Sequence, residues 1–283
     1  MSPNLNHKPR RGVTLVEALL VLTITSIIFA VTQLLLARTI DTWWRVNANS
    51  DAQQQLYKAQ NFLERDLAAA AYETETGRET IRIQKAPAEL VHLTGADGDV
   101  LWFLSAIDPV SGEFVRKDGE PFWQRNILYY CVTPTSLNTF DYLGAGTSVD
   151  GYESACPFKV LVRKEIDFGD PTTSDPSSQE EPLISYSDLI AYLDRPDGYN
   201  TASMARANVA VRPISGNILT FRTDFVPATK GVSVDLRATA IERARREGRI
   251  DSRDLSIDPA TQQLVLTLFP PNHQGSSSTE SPP

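Results

Sequence analysis

Residues 13–37, VTLVEALLVLTITSIIFAVTQLLLA, decide how this chain is read. From Ala18 to Ala37 there are twenty residues without a formal charge. A helix of that length rises about 30 Å, the thickness of a bilayer's hydrocarbon core. The preceding twelve residues, MSPNLNHKPRRG, are polar and carry Lys8, Arg10 and Arg11. The next charge after the run is Arg38, and Trp43 and Trp44 follow where an interfacial aromatic belt belongs. Basic residues stay on the cytoplasmic side, so the expected topology is a cytoplasmic N-terminus with the long remainder outside.

Three readings compete for this segment. A secretory signal peptide has a shorter apolar region followed by a small-residue cleavage site, and no clear site follows here. A plain signal anchor fits the length and orientation but leaves Glu17 unexplained. An ionised carboxylate at the membrane is costly unless paired, which makes Glu17 a candidate functional residue. The bland alternative is a boundary residue reaching headgroup water.

The third reading is a family resemblance. Arg11-Gly12-Val13-Thr14-Leu15-Val16-Glu17-Ala18-Leu19-Leu20 resembles the N-terminal motif of type IV prepilins. The resemblance implies that a membrane aspartyl peptidase cuts between Gly12 and Val13 and methylates the new N-terminus. It also makes Glu17 the glutamate at the fifth mature position. Val13 departs from the usual phenylalanine after the cut, but the glycine–glutamate spacing is intact. In such a family Glu17 pairs with the Val13 amine of an adjacent subunit, setting axial register. Leaving either charge buried and unpaired costs on the order of several kcal/mol.

The helical period continues past the membrane run. Ala52, Leu56, Ala59, Leu63, Leu67 and Ala70 form one apolar stripe, with Gln53, Lys58, Glu64 and Arg65 off it. No Pro or Gly interrupts Val13 to Ala71, so one helix of about 90 Å is expected. A coiled coil is the alternative, with about three heptads available to it.

Beyond Tyr72, strand-like stretches appear at Glu89–Thr94, Val100–Ile107, Ile127–Thr133, Phe158–Ile166, Ile218–Val226, Gly231–Ala238 and Leu264–Pro270. Turn signals such as Gly95-Ala96-Asp97-Gly98 and Asp118-Gly119 separate them. A long helix followed by antiparallel strands reads as α+β. Residues 169–182 read as an exposed loop, with Glu180 and Glu181 as solvating charge, and 271–283 as a disordered tail. Asn61-Phe62-Leu63-Glu64-Arg65-Asp66-Leu67 looks like the equivalent stretch of large minor pseudopilins of the J type and W-type minor pilins. Ile127–Val132 with Val160–Arg163 is similar to a "Y-x-L/C … L-x-R" strand pair of the same proteins.

Composition bounds the rest. The formal charge of −8 would become −11 without residues 1–12, so nucleic-acid binding through the bulk surface is not expected. Cys131 and Cys156 fit neither a CxxC redox motif nor a zinc site. A disulfide between them is open if the domain lies outside the cytoplasm. No nucleophile elbow, P-loop, metalloprotease or dinucleotide motif appears, and His92 reads as a strand-face residue. Asp97-Gly98-Asp99 reads as a β-turn in preference to a calcium loop, because further acidic ligands are missing.

The expectation is therefore a pilin-like α+β subunit with no catalytic residue, metal or cofactor. It comprises a basic leader (1–12), a transmembrane or filament-core helix (13–37), an amphipathic continuation (38–71) and an extracytoplasmic β-rich domain (72–270). By resemblance its partners are a prepilin peptidase, sibling pilin or pseudopilin subunits at a filament tip, and the cytoplasmic membrane before assembly. The machine is a type II secretion pseudopilus or a type IV pilus, with competence pili or a membrane-anchored binding domain as alternatives.

Overall fold

A computed structural model of the chain describes residues 14–72, 77–86, 96–134, 148–149, 152–153, 158–175, 177–196, 200–240 and 261–271. The expected strand Glu89–Thr94, His92, Cys156, Gly12, Val13 and the leader lie outside the described residues, as does the tail beyond Pro271. The chain divides into two compact units, Met1–Asn47 and Ala48–Pro283.

Helix α1 (Leu15–Leu67) begins in the first unit. There its large apolar side chains, Leu19 to Leu36 among them, face outward. That is the arrangement of a helix whose surroundings are lipid or other helices rather than its own domain. In the second unit the predicted stripe is the buried one. Ala52, Leu56, Ala59, Leu63 and Leu67 are each no more than 4% exposed. The helix ends at Leu67, four residues short of the expected Ala71, in a turn through Ala68–Ala70 whose amides bond to carbonyls three and four residues back.

The second unit is built on a seven-stranded antiparallel sheet. Its strands are β1 (Ile81–Gln84), β2 (Val100–Ser105), β5 (Arg125–Val132), β8 (Lys159–Ile166), β9 (Val209–Val226), β10 (Gly231–Thr239) and β11 (Thr261–Leu268), in the order β1-β2-β5-β8-β9-β10-β11. Two small hairpins, β3 (Arg116–Lys117) with β4 (Glu120–Pro121) and β6 (Ser148–Val149) with β7 (Tyr152–Glu153), stand apart from it. The helix packs on one face: Leu101, Phe103, Ile127, Tyr129, Cys131, Leu161, Phe221, Val234 and Leu236 meet the stripe of α1. This is the expected pilin-like α+β architecture.

Strands β2 and β5 are apolar on both sides. All six residues of β2 are buried, as are seven of the eight in β5. Continuous apolar runs of this kind mark strands covered on both faces. The second cover comes from residues 183–196 and 200–209, which supply Ile184, Leu189, Leu193, Met204 and Val209 against Val100, Trp102, Leu128, Tyr130 and Val162. Its described residues hold one turn of helix, α2 (Tyr186–Leu189), and 3₁₀ turns at Ile190–Tyr192 and Thr201–Met204. Trp102 Nε1 donates to the Ile184 carbonyl at 2.9 Å, and its ring meets Tyr186 edge to face at 5.1 Å.

Strand β9 runs nine residues earlier than the expected start at Ile218. Pro213 and Gly216, which read as strand breakers, are accommodated where the pairing with β8 shifts register, and Asn217 takes φ 59° there. Asn tolerates that left-handed conformation better than most residues. Ile107 leaves β2 for an isolated bridge to Phe114.

The reading of Glu181 as solvating charge is wrong. Its residue is 0% exposed, because residues 167–175 and 177–183 fold back onto β5. Most of the described residues between 169 and 180 are exposed as expected, but Thr172 is also buried. Glu181 Oε1 accepts from Asn126 Nδ2 at 2.6 Å and from the Phe168 N–H at 2.7 Å, and Oε2 accepts from Thr172 Oγ1 at 3.2 Å.

Candidate functional site

The site is the start of α1. Thr14 precedes the first helical residue, and Glu17 is the third residue of the helix. The Thr14 Oγ1 accepts from the Glu17 N–H at 3.3 Å, while Glu17 Oε2 accepts from the Thr14 N–H at 3.0 Å and from Thr14 Oγ1 at 3.2 Å. The Thr14 carbonyl takes the first α-helical bond, from Ala18 N–H at 3.1 Å. This reciprocal pair is a capping box: two otherwise orphaned amide donors are satisfied by side chains. The carboxylate also sits at the positive end of the helix dipole. Its signature, T-x-x-E before an apolar run, is present in the sequence as Thr14 and Glu17. It gives Glu17 a role within its own helix, beside the expected pairing with a neighbouring amine or contact with headgroup water.

Glu17 and the side chains of the following turns are exposed, so the acid is open to a second partner along the helix. Trp43 and Trp44 contact each other edge to face at 4.8 Å, 26 and 27 residues further along.

Elsewhere the polar groups singled out from the sequence are structural. Asp97 is 2% exposed; its oxygens accept from the Thr133 N–H at 2.5 Å and from Arg195 Nη2 at 3.0 Å. Asp99, 0% exposed, accepts from the amides of Ala86 at 2.8 Å and Thr223 at 2.7 Å, with Lys85 Nζ at 3.3 Å. Both carboxylates accept from protein donors and act as clips between strands. Among the described residues no three of His, Cys, Asp and Glu gather where a metal could be held. Cys131 lies buried in β5, where the apolar surroundings push its thiol well above the ordinary value.

A further cluster was not assigned from the sequence. Asp66, 3% exposed at the end of α1, accepts from the Tyr129 hydroxyl at 2.6 Å and from Arg163 Nε, and its other oxygen takes Arg65 Nη2 at 2.7 Å. Burial and the neighbouring Asp66 charge hold the Tyr129 phenol above its usual range, so it remains a donor. One carboxylate thus ties the helix to β5 and β8.

The family model of the prokaryotic N-terminal methylation motif matches residues 7–32. Neither a curated protein nor a solved structure matches the chain. The motif implies processing by a prepilin peptidase and assembly with other pilins, and the apolar helix implies membrane anchoring. The chain therefore carries a prepilin-type N-terminal methylation motif on a pilin-like fold.

Proposed function

We propose that the chain is a minor pilin or pseudopilin: cleaved between Gly12 and Val13, methylated on Val13, and incorporated through α1 into a filament, at its tip. Its work is structural rather than enzymatic. The observation that carries the reading is the methylation motif at 7–32 placed directly on an outward-facing apolar helix that begins with Glu17. The minor-subunit assignment draws on a convergence. The segment 61–67, which looks like that of J- and W-type subunits, supplies Asp66, and the two strand stretches similar to theirs supply Tyr129 and Arg163. Before assembly the protein is a single-pass protein of the cytoplasmic membrane with residues 72–270 outside.

The first test is the N-terminal peptide mass of the membrane-extracted protein from cells with and without a prepilin peptidase. A chain starting at N-methylated Val13, seen only with the peptidase, is expected. Residues 1–12 retained in both strains would overturn the reading.

The capping box favours a second reading, in which Glu17 serves only its own helix within a plain membrane-anchored domain. Charge separates the two. Glu17→Gln keeps an oxygen that accepts from the Thr14 amide, so a purely capping role would leave the protein's behaviour nearly unchanged. If Glu17 neutralises a neighbour's Val13 amine, Glu17→Gln leaves that amine unpaired in an apolar core. Cleaved, membrane-inserted protein that is lost from sheared filaments by tenfold or more is the expected outcome. Wild-type incorporation of Glu17→Gln would rule the intersubunit role out.

A further inference from the structure

The apolar half of α1 contains four hydroxyl side chains and one amide between Ala18 and Ala37. Each hydroxyl is satisfied within the helix. Thr23, Thr25, Ser26 and Thr32 donate to the carbonyls of Leu19, Val21, Leu22 and Ile28, at 2.8, 2.7, 2.8 and 2.8 Å. Such back-bonds hide a hydroxyl from hydrocarbon. Glu17 already bonds to Thr14 at the helix start. Gln33 is different: it is exposed and makes no hydrogen bond within the described structure.

A glutamine amide has two N–H donors and a carbonyl acceptor. In a bilayer no solvent meets them, so a partner on another helix is strongly favoured. Escape to the outer interface is difficult. Gln33 lies five residues, about 7 Å, inside Arg38, and helical side chains lean towards the helix N-terminus, here towards the membrane interior. Ser26, Ala30 and Ala37 share its side of the helix at spacings of three and four, so a neighbouring backbone can come close enough for the amide to reach.

The partner's identity follows from orientation and chemistry. Every copy of this chain has the same topology, so two copies run parallel and hold Gln33 at the same depth. An amide is both donor and acceptor, so Gln33 is complementary to itself. A foreign helix would have to offer a polar group at that one depth. We propose that Gln33 joins two copies of this chain into a parallel homodimer in the membrane, by an amide–amide hydrogen bond along the Ser26–Ala30–Gln33–Ala37 side. The proposal rests on membrane anchoring and not on filament assembly.

The test uses the full-length protein in native membranes, oxidised with copper phenanthroline. Ala37→Cys, on the proposed side, should give a disulfide-linked dimer. Leu35→Cys, about 200° away around the helix, should not, nor should the parent with its native cysteines. Adding Gln33→Leu to Ala37→Cys should reduce the dimer roughly three- to thirty-fold, the range for an interhelical hydrogen bond in a membrane. Leucine favours insertion, and carbonate extraction checks that the variant stays in the membrane. Equal cross-linking at 35 and 37, cross-links to other proteins alone, or a dimer indifferent to Gln33→Leu would overturn the proposal. The N-terminal mass of the same samples reports processing separately. An uncleaved but cross-linked chain sinks the pilin reading alone, and a cleaved chain indifferent to Gln33→Leu sinks the dimer alone.

Discussion

Asp66→Ala is expected to destabilise the domain of residues 48–283 by about 3–5 kcal/mol, the cost of breaking a buried ion pair by removing one partner. Asp66 is almost fully buried and accepts from two groups that reach it from different strands, the Tyr129 hydroxyl and Arg163 Nε. Without it Arg163, whose side chain is 14% exposed, retains Glu165 at 3.0 Å. The Tyr129 hydroxyl is left buried with a donor to place. Arg65 contributes little to the cost, because its side chain is 53% exposed and solvent screens the pair. Asp66→Asn keeps an acceptor oxygen and should lose about half as much. Urea unfolding of the full chain in detergent micelles, followed by fluorescence of its four tryptophans, measures both. A loss below about 1 kcal/mol for Asp66→Ala would mean that apolar packing of Leu63 and Leu67 alone holds the helix down.

The same domain should become more stable as the pH falls from about 7 to about 4.5, through Glu181. Burial raises its carboxyl to about 7, against the hydrogen bonds from Phe168, Asn126 and Thr172 that favour the ionised form. Nearby Asp167 raises it further. The unfolded chain ionises at an ordinary carboxylate value, so between the two values the folded state holds a proton that the unfolded state has lost. Stability from this group is complete below the unfolded value and is lost as pH rises through about 7. The difference is about 3 kcal/mol at 1.36 kcal/mol per pH unit. Glu181→Gln mimics the protonated acid. It should match the wild type near pH 4.5 and exceed its stability by up to about 3 kcal/mol at pH 8. Comparing the two proteins cancels the opposite trend from Asp108, which its bonds from Val110 and Ser111 hold below the usual range. Equal stabilities at pH 8 would show that the Asn126, Phe168 and Thr172 donors fully offset the burial of the charge.

The features that the sequence predicts correctly are local ones. An unbroken apolar run and the methylation motif that overlaps it are both contained within forty residues. The stripe from Ala52 to Leu67 is visible because a helix repeats every 3.6 residues. Six expected strands lie within a few residues of the observed ones, apart from the start of β9, where Pro213 and Gly216 sit at a register shift that no local pattern announces. Strand β1 has no counterpart among the expected stretches, because at four residues, IRIQ, it is too short to show a period.

The sequence by itself determined the helix, its membrane-length apolar half, the methylation motif and the α+β class, because each is written in neighbouring residues. The tertiary structure alone decided which polar residues are structural. Asp66 meets Tyr129 and Arg163 across 63 and 97 positions of chain, and Glu181 meets Asn126 across 55. Burial is a property of the whole packed domain. A Glu-Glu pair among prolines and serines looks solvated until the segment that carries it folds back over a sheet. The second cover on that sheet was foreshadowed by the unbroken apolar runs of β2 and β5. Only the fold shows that mostly irregular chain at 183–196 and 200–209, with no period of its own, provides it.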